Sequence, residues 1–317
     1  MSDALNKTKV DASKNTVSVV MCTYNGARYV KEQLDSILSQ TYPLHEVLIF
    51  DDRSTDETVS IIQKTIEDFP FAKLFVNPKN LGFEKNFAHA LQAASGELIA
   101  ISDQDDIWLQ QKIEKLVNAW KPECPLIYGA SKPFEGKPPE KDLHPDSHYR
   151  HFEGTDGRKI FFRNTISGHN LMIRKSFLPS VLPLPTDTYY DWFLAVAAAY
   201  NGGVQYYPAV LVLHRIHGEN ATFDSNMKGR NYSLRSKMSV IDATRSFLRI
   251  AELPPAHKSF AIKLHDLLQE SLNQEFSTPL FMFLFKHRTL LFNYKRRKIG
   301  LFSHLKHSRR IAKKSNN

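Results

Sequence analysis

The first hundred residues switch repeatedly between two hydrophobic periods, and this restricts the fold more than any other feature of the 317-residue chain. Val17-Ser18-Val19-Val20-Met21-Cys22 is a compact β-rich run, and the segment after it places Val30, Leu34, Ile37 and Leu38 at i, i+4, i+7 and i+8, one face of a helix. Val47 to Phe50 reads as a second strand, followed by a helix on Val59, Ile62 and Ile66. Leu74-Phe75-Val76 reads as a third strand, followed by a helix on Phe83, Phe87, Leu91 and Ala94 that Gly96 closes. Strand–helix repeats of this length imply parallel strands joined by right-handed crossovers, hence an α/β fold. Such a sheet gathers the loops after its strands on one edge, where open α/β sheets bind ligands.

Acids occupy that edge. Ile99-Ala100-Ile101-Ser102 runs directly into Asp103-Gln104-Asp105-Asp106, three carboxylates in four positions. Such groups repel unless a cation lies between them, and Mg²⁺ or Mn²⁺ suits hard oxygen donors. The segment from Trp108 to Trp120 reads as a helix, so Asp105 or Asp106 is alternatively a helix cap. Asp51-Asp52 ends the second strand in the same way, and Ser54 with Glu57 has the spacing of a capping box. After the first strand, Thr23-Tyr24-Asn25-Gly26 has turn chemistry. The chain contains neither a Gly-x-Gly-x-x-Gly run nor a Gly-Lys-Ser/Thr phosphate loop, which argues against the common dinucleotide and mononucleotide sites.

Beyond Tyr128 the pattern loosens. Ala130 to Arg158 is rich in Pro, Gly, Lys and His and reads as a long irregular excursion. Ser167 to Arg174 reads as a small-residue loop feeding a strand. A helix from about Asp191 stops at Gly202-Gly203, and two strands, 204–207 and 210–216, lead into His214-Arg215-Ile216-His217-Gly218-Glu219-Asn220. Three regions follow: a flexible N-terminus (1–15), an α/β domain (16–222) and a helical, basic C-terminal region (223–317), with the boundary between about Phe223 and Ser233.

The net charge of +9 belongs to the tail: from Lys286 to Asn317 there are eleven Lys and Arg and no acid, so the rest of the chain carries two more acids than bases. A mildly acidic body argues against a broad nucleic-acid face there. In the tail, Leu290, Leu291, Phe292, Ile299, Leu301, Phe302, Leu305 and Ile311 interleave with the cations, as in a helix lying on an anionic membrane. The alternative is a solvated face of helices packed on the main domain. Cys22 and Cys124 are far apart, which argues against a disulfide scaffold and fits a reducing compartment. No secretion signal is read in Met1 to Asn15, and Pro279 to Phe285 is too short to cross a bilayer. The expected location is the cytoplasm, with the inner face of the cell membrane as a peripheral site.

The order Cys22-Thr23-Tyr24-Asn25-Gly26, Asp51-Asp52-Arg53-Ser54-Thr55-Asp56, Asn80-Leu81-Gly82, Ser102-Asp103-Gln104-Asp105-Asp106-Ile107-Trp108 resembles the family-2 glycosyltransferases, and within them bacterial rhamnosyltransferase-type enzymes of surface-polysaccharide synthesis. The resemblance runs from about Val17 to Asn220. It implies a GT-A fold (a nucleotide-diphospho-sugar transferase, Rossmann-like, with a mostly parallel sheet flanked by helices), a UDP- or dTDP-sugar donor, a glycan or lipid-linked acceptor, Mg²⁺ or Mn²⁺, and inversion at the anomeric carbon. By position, Thr23, Tyr24 and Asn25 would lie under the base and Asp51 or Asp52 would accept its ring N–H. Asp103 would sit near ribose or metal, Asp105 would be the direct metal ligand, and Asp106 would be structural. Tyr190-Asp191 stands where Glu-Asp is usual, making Asp191 the base; a helix cap is the bland alternative. Gly168, His169 and Asn170 match the acceptor side, and Gly168 would let a sugar approach the backbone. Arg215 and His217 resemble an Arg-x-His-x-x-Asn element that neutralises diphosphate or reaches the metal. Trp108 and Trp192 would stack on sugars.

Three other readings compete. A nucleotidyltransferase shares the sheet plan but wants a Gly-rich basic loop after the first strand. A non-catalytic nucleotide or glycan binder needs the site but not the base. A basic-tailed RNA-associated protein needs only the tail.

Overall fold

The computed structural model describes residues 15–141, 143–145, 149–218, 230–295 and 300–313. The first half follows the expected alternation: β1 (Val17–Thr23), α1 (Val30–Leu38), β2 (Glu46–Asp51), α2 (Thr58–Ile66), β3 (Ala72–Val76), α3 (Phe83–Ala93) and β4 (Leu98–Ser102). Then come β5 (Ile107–Trp108), α4 (Lys112–Ala119), β6 (Leu126–Phe134), β7 (Leu171–Arg174), α5 (Leu178–Val181), α6 (Tyr190–Tyr200) and β8 (Val204–Arg215). The C-terminal region is α7 (Arg230–Phe247), α8 (Pro255–Ser271), α9 (Thr278–Lys286), α10 (Arg288–Leu291) and α11 (Leu301–Ala312).

The sheet order is β3-β2-β1-β4-β7-β6-β8-β5. Strands β1 to β4 pair in parallel, as does β6 with β8, whereas β7 runs antiparallel to β4 and β6, and β5 to β8. The result is a mixed α/β, mostly parallel sheet flanked by helices. Alternation along β1 shows how both faces are filled. Val17, Val19 and Met21 pack with α1, α2 and α4, while Val20 points into the opposite layer with α3 and α6. A sheet covered on both sides reads as continuous apolar runs, which is why β1, β2 and β4 were legible. Helix α6 is apolar all round and sits at the centre of the second layer, where only such a helix can sit without stranding polar groups.

Several expectations change. The acids of 103–106 do not cap a helix: Ile107–Trp108 pairs with β8, and α4 starts only at Lys112. The Ser54/Glu57 capping box does not form, because Asp56 accepts from the Thr58 N–H instead and Ser54 turns back to Asp51. The two strands 204–207 and 210–216 are one strand, β8, whose pairing with β6 slips where Pro208 interrupts it; a residue without an N–H cannot hold the ladder there. Part of the supposed excursion, 130–134, is strand β6, held by β8.

The C-terminal helices share the second core layer. Phe247 of α7 packs on Phe161 and edge-on to Trp192, and Leu264, Leu268, Leu280 and Leu284 continue the same cluster. Their inner faces therefore follow the packing alternative. Residues 1–14 and 219–229, which include Asn220 and most of the expected boundary, lie outside the described residues. No helix among the described residues is long and apolar enough to cross a membrane.

Candidate active site

The loops after β1, β2 and β4 converge on one sheet edge and are cross-linked there by side chains. Asp51 is buried and accepts from Thr23 Oγ1 (2.8 Å) and the Ser54 N–H (2.8 Å). Asp52 is also buried and gathers the Leu81 N–H (2.8 Å), the Gly82 N–H (2.9 Å) and Asn77 Nδ2 (2.9 Å). Asn25, in the left-handed region at φ 48°, accepts from the Thr55 N–H at 2.8 Å. Gln104 straps this layer to the acidic loop: its Oε1 accepts from the Tyr24 N–H (2.9 Å) and its Nε2 donates to the Tyr24 carbonyl (3.2 Å). Position 26 must be glycine for that strap, since a Cβ there would lie 2.4 Å from Gln104 Oε1. The Tyr24 ring is left exposed at the rim.

Beneath lies the acid cluster. Asp106 is fully buried, accepts from His214 Nδ1 (2.9 Å) and the Arg215 N–H (3.0 Å), and lies 3.6 Å from His169 Nδ1. Burial alone would raise its pKa, but the two imidazoles and the N–H hold it below the usual carboxylate value. Asp105 is the opposite case. Desolvation, then the charges of Asp103 and Asp106, push its carboxyl up to about 6 despite a hydrogen bond to His217 Nε2 at 2.9 Å. His169 Nδ1 reaches to 3.7 Å from Asp103, its Nε2 contacts Ser131 Oγ at 2.7 Å, and its ring stacks on His214. Burial pulls His214 down, yet the Asp106 hydrogen bond and charge outweigh it and hold its pKa above the usual value.

Asp191 opens α6 on the far side of His169. Its Oδ2 accepts from the Gly168 N–H (3.1 Å) and its Oδ1 from the Trp192 N–H (2.6 Å). Desolvation raises its carboxyl to about 7; the two N–H groups oppose the rise, and Asp103 adds to it. Asp191, Asp103 and His169 therefore share one electrostatic environment although they come from three parts of the chain. A pKa near 7 is what a general base working near neutrality requires.

Over residues 18–181 the chain matches the model for glycosyl transferase family 2. It belongs to that family. Among curated relatives it is 28% identical over 208 residues to an uncharacterised protein of Mycobacterium bovis, covering 63% of this chain and 59% of that protein. It is 38% identical over 101 residues to an uncharacterised glycosyltransferase of Haemophilus influenzae, covering 32% of this chain and 31% of that one. The chain thus spans less than two thirds of these relatives. Among solved structures, S. aureus TarS 1-349 in complex with UDP-GlcNAc matches at a TM-score of 0.59 and 17% identity, over 94% of this chain and 90% of that one. The Pyrobaculum calidifontis mannosyltransferase PcManGT, in complex with GDP-Man and Mn²⁺, matches at 0.57 and 17%, over 94% and 86%. At such identity the likeness is one of fold, and the fold is GT-A.

The donor set of this family-2 chain fits a hard divalent cation. Carboxylate oxygens of Asp103, Asp105 and Asp106 lie within 4.8 Å of one another, and Asp106 Oδ2 is buried with no hydrogen bond. Asp106, His169 and His214 also bring ligand atoms within 4.8 Å. That second group is a poor cage. Its imidazoles stack at 4.6 Å with planes 12° apart, and an ion on the lone pair of each ring would have to lie in two nearly parallel planes at once.

Several assigned residues do other work. Trp192 is buried, donates from its indole N–H to the Ile160 carbonyl and packs on Phe247, so it is core rather than acceptor surface. Trp108 is likewise buried, under the Lys112 amine, 3.3 Å from the ring centre. Asp51 has both oxygens engaged by Thr23 and Ser54, which makes it a loop clamp. Arg215 pairs with Glu32, donates from Nε to the Asp105 carbonyl (3.0 Å) and lies between the Tyr29 and Phe134 rings, so its charge is committed to the scaffold rather than presented to a diphosphate. His169 and Asn170 are buried under the acids. Gly168 lies against Tyr190, which is reason enough for a residue without a side chain: a Cβ there would sit 2.1 Å from the Tyr190 hydroxyl.

Sequence reasoning missed Gln104, Lys112 and the His169–His214 stack. Lys112 is fully buried and donates to the His169 carbonyl at 3.0 Å. Burial pushes its pKa well below the lysine range against the pull of Asp106 and Asp103. A signal existed: Lys112 precedes Leu116 by four residues and so falls on the apolar stripe of α4.

Proposed function

We propose that this glycosyltransferase moves a sugar from a nucleoside diphosphate to an acceptor hydroxyl with inversion, using Asp191 as the base. The observation that carries the reading is the Asp191 carboxyl, raised to about 7 and aimed by two backbone N–H groups in the same cluster as Asp103. An alcohol is a weak nucleophile at neutral pH. Asp191 takes its proton as the oxygen attacks the anomeric carbon on the face opposite the diphosphate. The C–O bond to phosphate breaks, and a single displacement inverts the centre. Held by Asp103 and Asp105, with His217 alongside, Mg²⁺ or Mn²⁺ would supply Lewis-acid stabilisation of charge on the departing diphosphate.

On the donor side, Thr23, Tyr24 and Asn25 would underlie the base, and Asp52, whose Oδ2 accepts from the Gly82 N–H and keeps a second lone pair, would take a pyrimidine N–H. UDP-GlcNAc and GDP-Man in the two similar structures support a nucleotide-sugar donor. Tyr190-Asp191 and Arg215-Ile216-His217 support the rhamnosyltransferase-type branch, and with it a dTDP-sugar beside UDP-sugars. The acceptor is then a surface glycan or its lipid-linked precursor.

The test is a panel of UDP-, dTDP- and GDP-sugars with Mn²⁺, comparing the wild-type chain with Asp191→Asn. Metal-dependent turnover lost in Asp191→Asn, with nucleotide binding kept in calorimetry, is expected. Full turnover in Asp191→Asn overturns the base. Metal-dependent nucleotide binding without turnover on any donor favours the non-catalytic binder.

A further inference from the structure

Helices α9 and α11 pack against each other and leave between them a groove of about 760 Å³, lined by Phe276, Phe281, Met282 and Leu305, with Glu275 and Thr278 at one side. Arg309 and Lys313 stand at the same groove. Helix α11 turns Ser308, Ile311 and Ala312 inward, yet its first turn leaves Leu301 57% and Phe302 85% exposed, and Met282 of α9, which lines the groove with Leu305, is 57% exposed. At 100° per residue, Leu301, Leu305, Arg309 and Phe302 share one side of α11, with Lys306 and Arg310 next to it, so cations edge the exposed apolar residues.

A large ring left in water at a helix start is costly, and its position beside a line of cations states what would cover it. A nucleic acid satisfies the cations and leaves the aliphatic groups wet. An apolar protein partner does the reverse. An anionic bilayer satisfies both, with lipid phosphates on the Lys/Arg stripe and the acyl boundary around Phe302, Leu301 and Met282. Charge complementarity extends along the tail, which has no acid from Lys286 to its end.

We propose that the α9–α11 face docks on an anionic membrane surface. The argument stands apart from the transferase reading and uses none of its residues.

The test is co-sedimentation of the full chain with vesicles of phosphatidylcholine alone or mixed with phosphatidylglycerol. Binding to the mixed vesicles only, weakened by salt, is expected. Phe302→Asp and the double variant Lys306→Glu/Arg309→Glu should each bind at least about tenfold more weakly, with unchanged circular dichroism and donor hydrolysis, because these side chains are exposed. Three results overturn the proposal: no binding by the wild-type chain, variants that partition like wild type, or vesicle-independent self-association that Phe302→Asp abolishes, which would make the face a contact between copies. Were donor hydrolysis absent from every form, the transferase reading alone would fall.

Discussion

The two layers of the site are built on opposite principles. In the layer that the proposed function gives to the donor, the polar groups of residues 23–26, 51–58 and 80–82 have partners: Asp51 with Thr23 and Ser54, Asp52 with two N–H groups and Asn77, Tyr24 with Gln104. In the layer that the proposed function makes the reacting one, the charges do not cancel. Asp105 and Asp191 are raised to about 6 and about 7, Lys112 is driven well down, and Asp106 keeps an oxygen without a hydrogen bond. The first layer is a satisfied scaffold; the second holds unbalanced charge. Desolvated acids are poor for stability and suited to base and metal chemistry.

The largest effect that separates the layers should come from Asp191. Its removal as Asp191→Asn should lower turnover about 10²- to 10⁴-fold. In the wild-type chain kcat/KM should rise with pH through about 7, because the basic form is populated above the carboxyl pKa. The variant should lose that inflection, and a retained inflection would assign it to another group.

Next comes Lys112→Met. It strands the His169 carbonyl in a dry site and should cost about 1–3 kcal/mol in urea unfolding, with turnover falling because His169 shifts against Asp103. Unaltered stability would place Lys112 outside the support of the reacting layer.

Stability against pH sharpens the contrast. Asp105 and Asp191 have folded pKa values above their unfolded ones, so the folded chain holds more protons between about pH 4 and 7. Their contribution to stability is complete below the unfolded pKa and is lost as pH rises through about 6 and about 7. Thermal scans of the metal-free chain should therefore show a fall attributable to these groups across that window. Mn²⁺ should offset it, and Asp105→Asn should both flatten the fall and remove the Mn²⁺ response.

The smallest effect belongs to the satisfied layer. Gln104→Ala deletes two exposed hydrogen bonds and should raise the donor KM about fivefold, roughly 1 kcal/mol, with kcat nearly unchanged. A larger loss in kcat than in KM would show that the strap also positions the acids.

Much of this was legible before any coordinates. The β1–α1–β2–α2–β3–α3–β4 alternation, the acids at strand ends and the turn at Asn25-Gly26 follow from local periodicity and chain chemistry. Misread were the stretches whose state depends on distant partners. Ile107–Trp108 looked like a helix start because nothing nearby announces pairing with β8, and 130–134 looked like a loop because its composition suits one. Trp192 looked like a sugar platform because a sequence does not say that Phe247, more than fifty residues on, lies against it.

By itself the sequence determined the fold class and which acids end the strands at one edge of the sheet, because period, turn propensity and carboxylate spacing are properties of short segments. Only the tertiary structure decided which acids are stressed and which are satisfied. Whether Asp51 clamps a loop, Arg215 props a carbonyl or Asp191 rises to about 7 depends on water excluded and partners delivered from elsewhere in the chain.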